Sequence, residues 1–87
     1  MKQSRFAVTL YNEERLQYVG ENLNDVLQEM WDDHFDEQEE LEGACFTVSD
    51  IANGTKEWYQ YLGTYFHYCF AKGRCDVEFL LKACKVA

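Results

Sequence analysis

Residues 55–73, TKEWYQYLGTYFHYCFAKG, decide how many strands this chain can build, and they admit two readings. As a helix, Thr55 is the N-cap, Trp58, Leu62, Tyr65, Phe66, Cys69 and Phe70 face the core, and Gly73 ends it. As a strand, the Tyr, Trp, Phe and Thr content fits equally well, and Gly63 in its middle costs a helix ~1 kcal/mol relative to alanine. The helix is preferred over 55–72. The segment is longer than an ordinary strand, and Lys72-Gly73 makes a good helix ending.

The flanking segments are plainer. Residues 5–11, RFAVTLY, alternate strictly, which puts Phe6, Val8 and Leu10 on one face of a strand and Ala7, Thr9 and Tyr11 on the other. Asn12-Glu13-Glu14 supplies a turn, and RLQYVG returns with Leu16 and Tyr18 on one face until Gly20 stops it, so the two runs read as a hairpin. Asn22 is a good N-cap, with Asp25 three residues on. From there Leu23, Val26, Leu27, Met30, Trp31 and Phe35 (or His34) recur with the spacing of one helical face. Acids near the C-terminus of that helix oppose its dipole, which predicts fraying between Asp36 and Glu42, with Gly43 as the stop. Residues 44–50, ACFTVSD, make a third strand with Phe46 and Val48 on one face, and Asn53-Gly54 breaks the chain after it. Beyond Arg74, Asp76 caps a short last helix in which Val77, Leu80, Leu81 and Cys84 share a face, while Lys82 and Lys85 suit its C-terminus. The expected order is ββαβαα: a single α+β domain over residues 1–87, with an antiparallel sheet of about three strands and helices packed on one face of it.

Eighty-seven residues allow one modest core, and a hydrophobic content of 47% means that the net charge of −8 sits on a folded surface rather than on a disordered acidic chain. The charge is unevenly placed. Residues 1–15 carry a net +1, residues 16–55 eleven acids and no base, and residues 56–87 a net +2. Direct contact of the middle third with nucleic acid is disfavoured by its sign. MKQSRF leads straight into an alternating pattern without a signal peptide, and no apolar run approaches the ~18–20 residues of a membrane span, so a cytoplasmic protein is expected. Cys45, Cys69, Cys75 and Cys84 lie in or beside apolar stretches without a CxxC pair and read as small buried hydrophobes rather than a disulfide framework.

Catalytic chemistry finds little footing. His34 and His67 are the only imidazoles, neither lies in a metalloprotease or nucleophile motif, and no glycine-rich phosphate loop is present, so no enzyme activity is expected. A calcium loop starting at Asp32 fails, with Glu37 where the turn needs glycine and Gly43 where a bidentate glutamate belongs. A zinc site would have to gather cysteines from separate elements, so neither metal nor cofactor is expected. The aromatic run from Trp58 to Phe70 reads as core with tyrosines at its margin, or as an exposed patch through which a homodimer could form, because the basic groove that accompanies a base-stacking platform is missing.

What remains is the acidic stretch 21–42, ENLNDVLQEMWDDHFDEQEELE, in which Asp25, Glu29, Asp32, Asp33, Asp36, Glu37, Glu39 and Glu40 are the candidate partner-binding residues. A face kept for solubility normally mixes signs. Here Asp25/Glu29, Glu29/Asp33, Asp32/Asp36, Asp33/Glu37 and Asp36/Glu40 are all like-charge i,i+4 pairs, a total penalty of roughly 1–2.5 kcal/mol before salt screening. If the helix is continuous, these eight carboxylates span about 22 Å, one per ~3 Å, close to the ~3.4 Å phosphate spacing of one strand of B-form DNA. The expected function is therefore a small acidic inhibitor that binds the basic surface of a nucleic-acid-binding protein as a DNA mimic, in the manner, by charge and size, of phage and plasmid proteins that block restriction or CRISPR enzymes. An acidic adaptor that docks on a basic protein without competing for nucleic acid is the alternative.

Overall fold

The computed structural model describes residues 4–12, 15–73 and 76–86. The elements in chain order are β1 (Phe6–Tyr11), β2 (Arg15–Gly20), α1 (Leu23–Asp33), a 3₁₀ turn (Phe35–Glu37), α2 (Gln38–Leu41), β3 (Cys45–Asp50), β4 (Thr55–Gln60), α3 (Gly63–Phe70) and α4 (Val77–Cys84). The four strands form one antiparallel sheet in the order β2-β1-β3-β4. The first hairpin pairs Phe6 with Gly20 through Tyr11 with Arg15 as the alternation implies; its turn residues Glu13 and Glu14 lie outside the described residues.

The α+β class holds, but the sheet has four strands instead of three, because residues 55–60 are a strand and only residues 63–70 of the segment expected to be helical are helix. Two local devices divide the segment. At its start, Asp50 accepts from the Asn53 side-chain amide (2.9 Å) and Gly54 takes φ +67°, folding residues 51–54 into a turn that returns the chain along β3. At Gly63, the backbone N–H donates to Glu42 Oε1 at 2.8 Å, supplying the N-terminus of α3 with a carboxylate from a distant loop. A Cβ at position 63 would stand 2.9 Å from that oxygen, so the glycine that weakened the continuous-helix reading is what lets Glu42 approach a new helix start.

The acidic helix is also shorter than the sequence suggests. Asn22 caps α1 as expected, accepting from the amides of Asn24 (2.9 Å) and Asp25 (3.4 Å), but the helix stops at His34, whose backbone leaves the helical region at φ −114°, ψ 23°. The last turn of α1 contains no base, so continuing would have stacked further acids against a negative dipole end. Breaking the helix places Glu39 and Glu40 in the first turn of α2, where the dipole favours them. His34, partly buried, takes the inward position, and Phe35 is left 56% exposed. Gly43, at φ +83°, follows the end of α2 as the expected stop.

All helices pack on the sheet face that carries Val8, Leu10, Tyr18, Phe46, Val48 and Tyr59, closing one core with Leu27, Met30, Leu41, Tyr61, Phe66 and Leu80. The buried Tyr61 hydroxyl donates to Gln38 Oε1, and Gln38 Nε2 donates to the His34 carbonyl at 2.8 Å, so the helix break is tied to the residue that follows β4. Asp76 caps α4 through the amides of Glu78 and Phe79, and Leu80 and Cys84 point inward as read. Cys69 and Cys84 are buried free thiols, Cys45 is exposed, contrary to expectation, and Cys75 lies outside the described residues. Cys45 opens β3 on the side of the sheet without helices, where only flanking side chains shield it.

Candidate protein-binding face

Each of the eight candidate residues is exposed. Asp25, Glu29, Asp32 and Asp33 ride on α1, Asp36 and Glu37 on the 3₁₀ turn, Glu39 and Glu40 on α2. The four on α1 are there because its apolar residues Val26, Leu27, Met30 and Trp31 are buried and leave the rest to water, and on α2 Leu41 is the buried residue. Among the described residues, the ion pairs to lysine or arginine involve other acids: Arg5 with Asp50 (3.3 Å) and Lys85 with Glu57 (3.5 Å). Among the described residues only Glu37 of the set has a cationic neighbour, His34 Nδ1 at 3.5 Å, with no hydrogen bond between them and a charge on the ring only when it is protonated. The Arg5 guanidinium holds the Asp50 carboxyl below the usual carboxylate range.

The break at His34 redistributes the repulsion. Asp25/Glu29 and Glu29/Asp33 remain i,i+4 neighbours on α1, whereas Asp32/Asp36 and Asp33/Glu37 span the break and Asp36/Glu40 spans the non-helical backbone at Glu37 (φ −122°, ψ 27°), so these three pairs no longer face each other along one helix. The penalty drops to two pairs, roughly 0.4–1 kcal/mol. The single 22 Å rod of charge disappears with it. α1 is about 16 Å long, and the remaining carboxylates turn away from its axis on the 3₁₀ turn and α2.

The surface is not only acidic. Trp31 packs edge-on against Phe35 (centroids 5.2 Å apart) and tilted against Phe70 (5.9 Å), and Trp31 and Phe35 line a groove of about 520 Å³ together with Glu39, Glu42 and His67. Sequence reasoning missed this groove, since it exists only because Phe35 faces out at the break. On the β2 side, Tyr18 and His34 Nε2 share a 3.2 Å hydrogen bond, and burial, with Asp33 and Glu29 beside it, pushes the Tyr18 hydroxyl well above the usual tyrosine range.

The aromatic run does not form one face. Trp58 lies on the outward side of the sheet, stacked on Tyr11 (5.3 Å) with Lys56 Nζ 5.5 Å from its ring centroid, and is 48% exposed. Tyr59, Tyr61 and Phe66 are buried on the helix side, and Tyr68 is exposed on α3. Among the described residues no three His, Cys, Asp or Glu side chains gather as a metal site would require, and no helix is long and apolar enough to cross a membrane.

Comparison of the chain with protein-family models, curated proteins and solved structures finds no match to any of them.

Proposed function

We propose that this is a small, non-enzymatic binding protein of the cytoplasm whose acidic face, Asp25, Glu29, Asp32, Asp33, Asp36, Glu37, Glu39 and Glu40, docks on the basic surface of a nucleic-acid-binding protein and blocks it, as an anti-restriction or anti-CRISPR inhibitor would. The observation that carries this reading is that all eight carboxylates are exposed while the arginine and lysine ion pairs of the described residues go to Asp50 and Glu57. A field of one sign raises the encounter rate with a basic partner and repels acidic ones.

The mimicry is of charge and sign over a curved face, not of one phosphate strand along one helix, because the helix breaks at His34. The adaptor reading is favoured by a different observation, the Trp31–Phe35 groove beside the acidic face, with Glu39 in its lining. Aromatic anchors beside charges are characteristic of protein–protein contacts, whereas a pure phosphate mimic has no use for them.

One experiment separates the readings. Proteins retained from a lysate of the producing organism by the immobilised protein, but not by a variant carrying Asp25→Asn, Glu29→Gln, Asp33→Asn and Asp36→Asn, are challenged with duplex DNA or RNA. Release by nucleic acid supports the inhibitor. A partner that holds the protein and nucleic acid together leaves only the adaptor, and equal retention by parent and variant refutes both.

A further inference from the structure

We propose that the edge of β2, unpaired among the described residues, is a strand-addition site for an extended segment of the basic partner with lysine or arginine at every second position, an inference that rests on the acidic-face reading above.

The direction of the backbone groups follows from the ladder. Tyr61 N–H donates to the Ala44 carbonyl at 2.7 Å and Ile51 N–H to the Arg5 carbonyl at 2.8 Å, both in register with the strand pairs. In an antiparallel sheet successive residues alternate which neighbour they bond. The even-numbered residues of β3 therefore serve β4, its odd-numbered residues serve Ala7, Thr9 and Tyr11, and Val8 and Leu10 serve Tyr18 and Leu16 of β2. Arg15, Gln17 and Val19 are left with N–H and C=O pointing away from the sheet. The opposite edge is closed: Tyr59 bridges to Lys85, and Val86 N–H donates to the Trp58 carbonyl at 3.4 Å. The β2 edge has neither proline nor bulge, and its one charge, Arg15, sits at one end.

Over this edge hangs a row of carboxylates. The α1 flank that carries Val26 lies on β2, close enough that a Cβ on Gly20 would stand 2.8 Å from Val26 Cγ2, and Tyr18 reaches across to His34. Asp25, Glu29 and Asp33 follow each other at i, i+4 and i+8 beside that flank, and Asp25 and Glu29 line a groove of about 320 Å³ with Val19 and Gly20. Their spacing is ~6 Å along the helix. Side chains on one face of an added strand recur every ~6.7 Å. Three alternate cations can therefore meet three carboxylates with a mismatch of about 1.4 Å over the whole row. The intervening side chains would lie beside Arg15, Gln17 and Val19, where a cation meets Arg15 and is repelled. The site thus selects alternating basic and uncharged residues over a uniformly basic run. A second copy of this chain does not fit: pairing β2 with β2 about a two-fold axis puts both helices on the same side, with the two acidic rows facing each other.

The probe is the capped peptide Lys-Thr-Lys-Thr-Lys-Thr-Lys, followed by calorimetry and by amide shifts of the labelled protein. It should shift the amides of Arg15, Gln17 and Val19, and the same residues arranged with the lysines in one block should bind at least about tenfold more weakly. Only alternate amides of an added strand face β2. N-methylation of either the threonine or the lysine amides should therefore abolish binding while the other set leaves affinity within about twofold. The variant Asp25→Asn/Glu29→Gln/Asp33→Asn should lose about tenfold or more, and Asp32→Asn/Asp36→Asn/Glu39→Gln/Glu40→Gln less than about threefold. Equal binding of the blocked peptide, equal effects of the two methylated sets, or shifts confined to α1 and α2 overturn strand addition and leave the acidic face standing. Failure of polylysine as well as the peptide takes down both.

Discussion

Replacing Glu29 with lysine tests the broken helix and the residual repulsion together. Glu29 sits between Asp25 and Asp33 on α1, exposed and without a lysine or arginine ion-pair partner among the described residues. Glu29→Lys turns two repulsive i,i+4 pairs into two attractive ones, and each swings by about 0.4–1 kcal/mol, for a gain of roughly 0.8–2 kcal/mol at low salt. In a domain of this size 1 kcal/mol moves Tm by about 4–8 °C. Asp36→Lys is the matched control. On one continuous helix it would remove two repulsive pairs, with Asp32 and Glu40, and gain similarly. In this fold Asp36 lies on the 3₁₀ turn across the break, and a lysine there puts a cation in the first turn of a helical segment, so no gain or a small loss is expected. Thermal unfolding of both variants at low ionic strength, repeated at ~1 M salt where the Glu29→Lys gain should largely vanish, is the measurement. Equal stabilisation by the two variants would show that α1 continues through His34 and would return the rod of charge to the argument about function.

Three further outcomes follow from particular contacts. Cys45 should alkylate within minutes in the native protein while Cys69 and Cys84 wait for unfolding, since burial pushes the Cys84 thiol up to about 11; peptide mapping that shows Cys45 protected would refute the placement of β3. Glu42→Ala should cost about 1 kcal/mol in urea denaturation through the lost contact to Gly63 N–H, and Gly63→Ala should be more damaging in the parent than in the Glu42→Ala background; additive effects would mean that the contact does not form. The hydroxyls of Tyr18, Tyr59 and Tyr61 are all raised by burial first, so their folded pKa values exceed the unfolded value of 10.0, their contribution to stability is complete below that pH, and it is lost as pH rises further. Ultraviolet titration should show these three tyrosines ionising above the ordinary tyrosine range, with unfolding promoted above about pH 10; ionisation of all three at the ordinary value would contradict it.

The parts of the fold set by local periodicity were legible. Strict alternation in β1 and β2, the Asn22 cap, the apolar face of α1, the third strand and the Asp76-capped last helix all follow from spacing and side-chain chemistry close in sequence. The fourth strand was not, because Trp, Tyr and Thr suit either state and the deciding interactions come from elsewhere: Phe46 to Tyr59 across the ladder, and Glu42 reaching Gly63. The helix dipole did warn of trouble after Asp36, but the break came earlier, where His34 finds Tyr18 and Gln38 as partners that no local pattern announces. Exposure of Asp25, Glu29, Asp32 and Asp33 could be read from the helical period, whereas Asp36, Glu37, Glu39 and Glu40 lie beyond the break, where that period no longer applies. Which of them overhang the open strand depends on β2 lying at the sheet edge, a fact of topology that emerges only with strand order.

The strand order also sets a kinetic expectation. The sheet consists of two hairpins, β1–β2 and β3–β4, each of which pairs residues close in the chain, and a single long-range ladder joins them where Tyr11 meets Cys45 and Phe6 meets Asp50. Each hairpin can form in microseconds. Bringing Tyr11 to Cys45 instead closes a loop of about 33 residues, an entropic charge of ~3 kcal/mol before any β1–β3 contact is made. The rate-limiting step should then be the zipping of the two inner strands, with Val8 and Val48 already in contact at the barrier top and the outer strands following. Truncating either valine should slow folding, whereas truncating Tyr18 on β2 or Leu80 on α4 should chiefly speed unfolding.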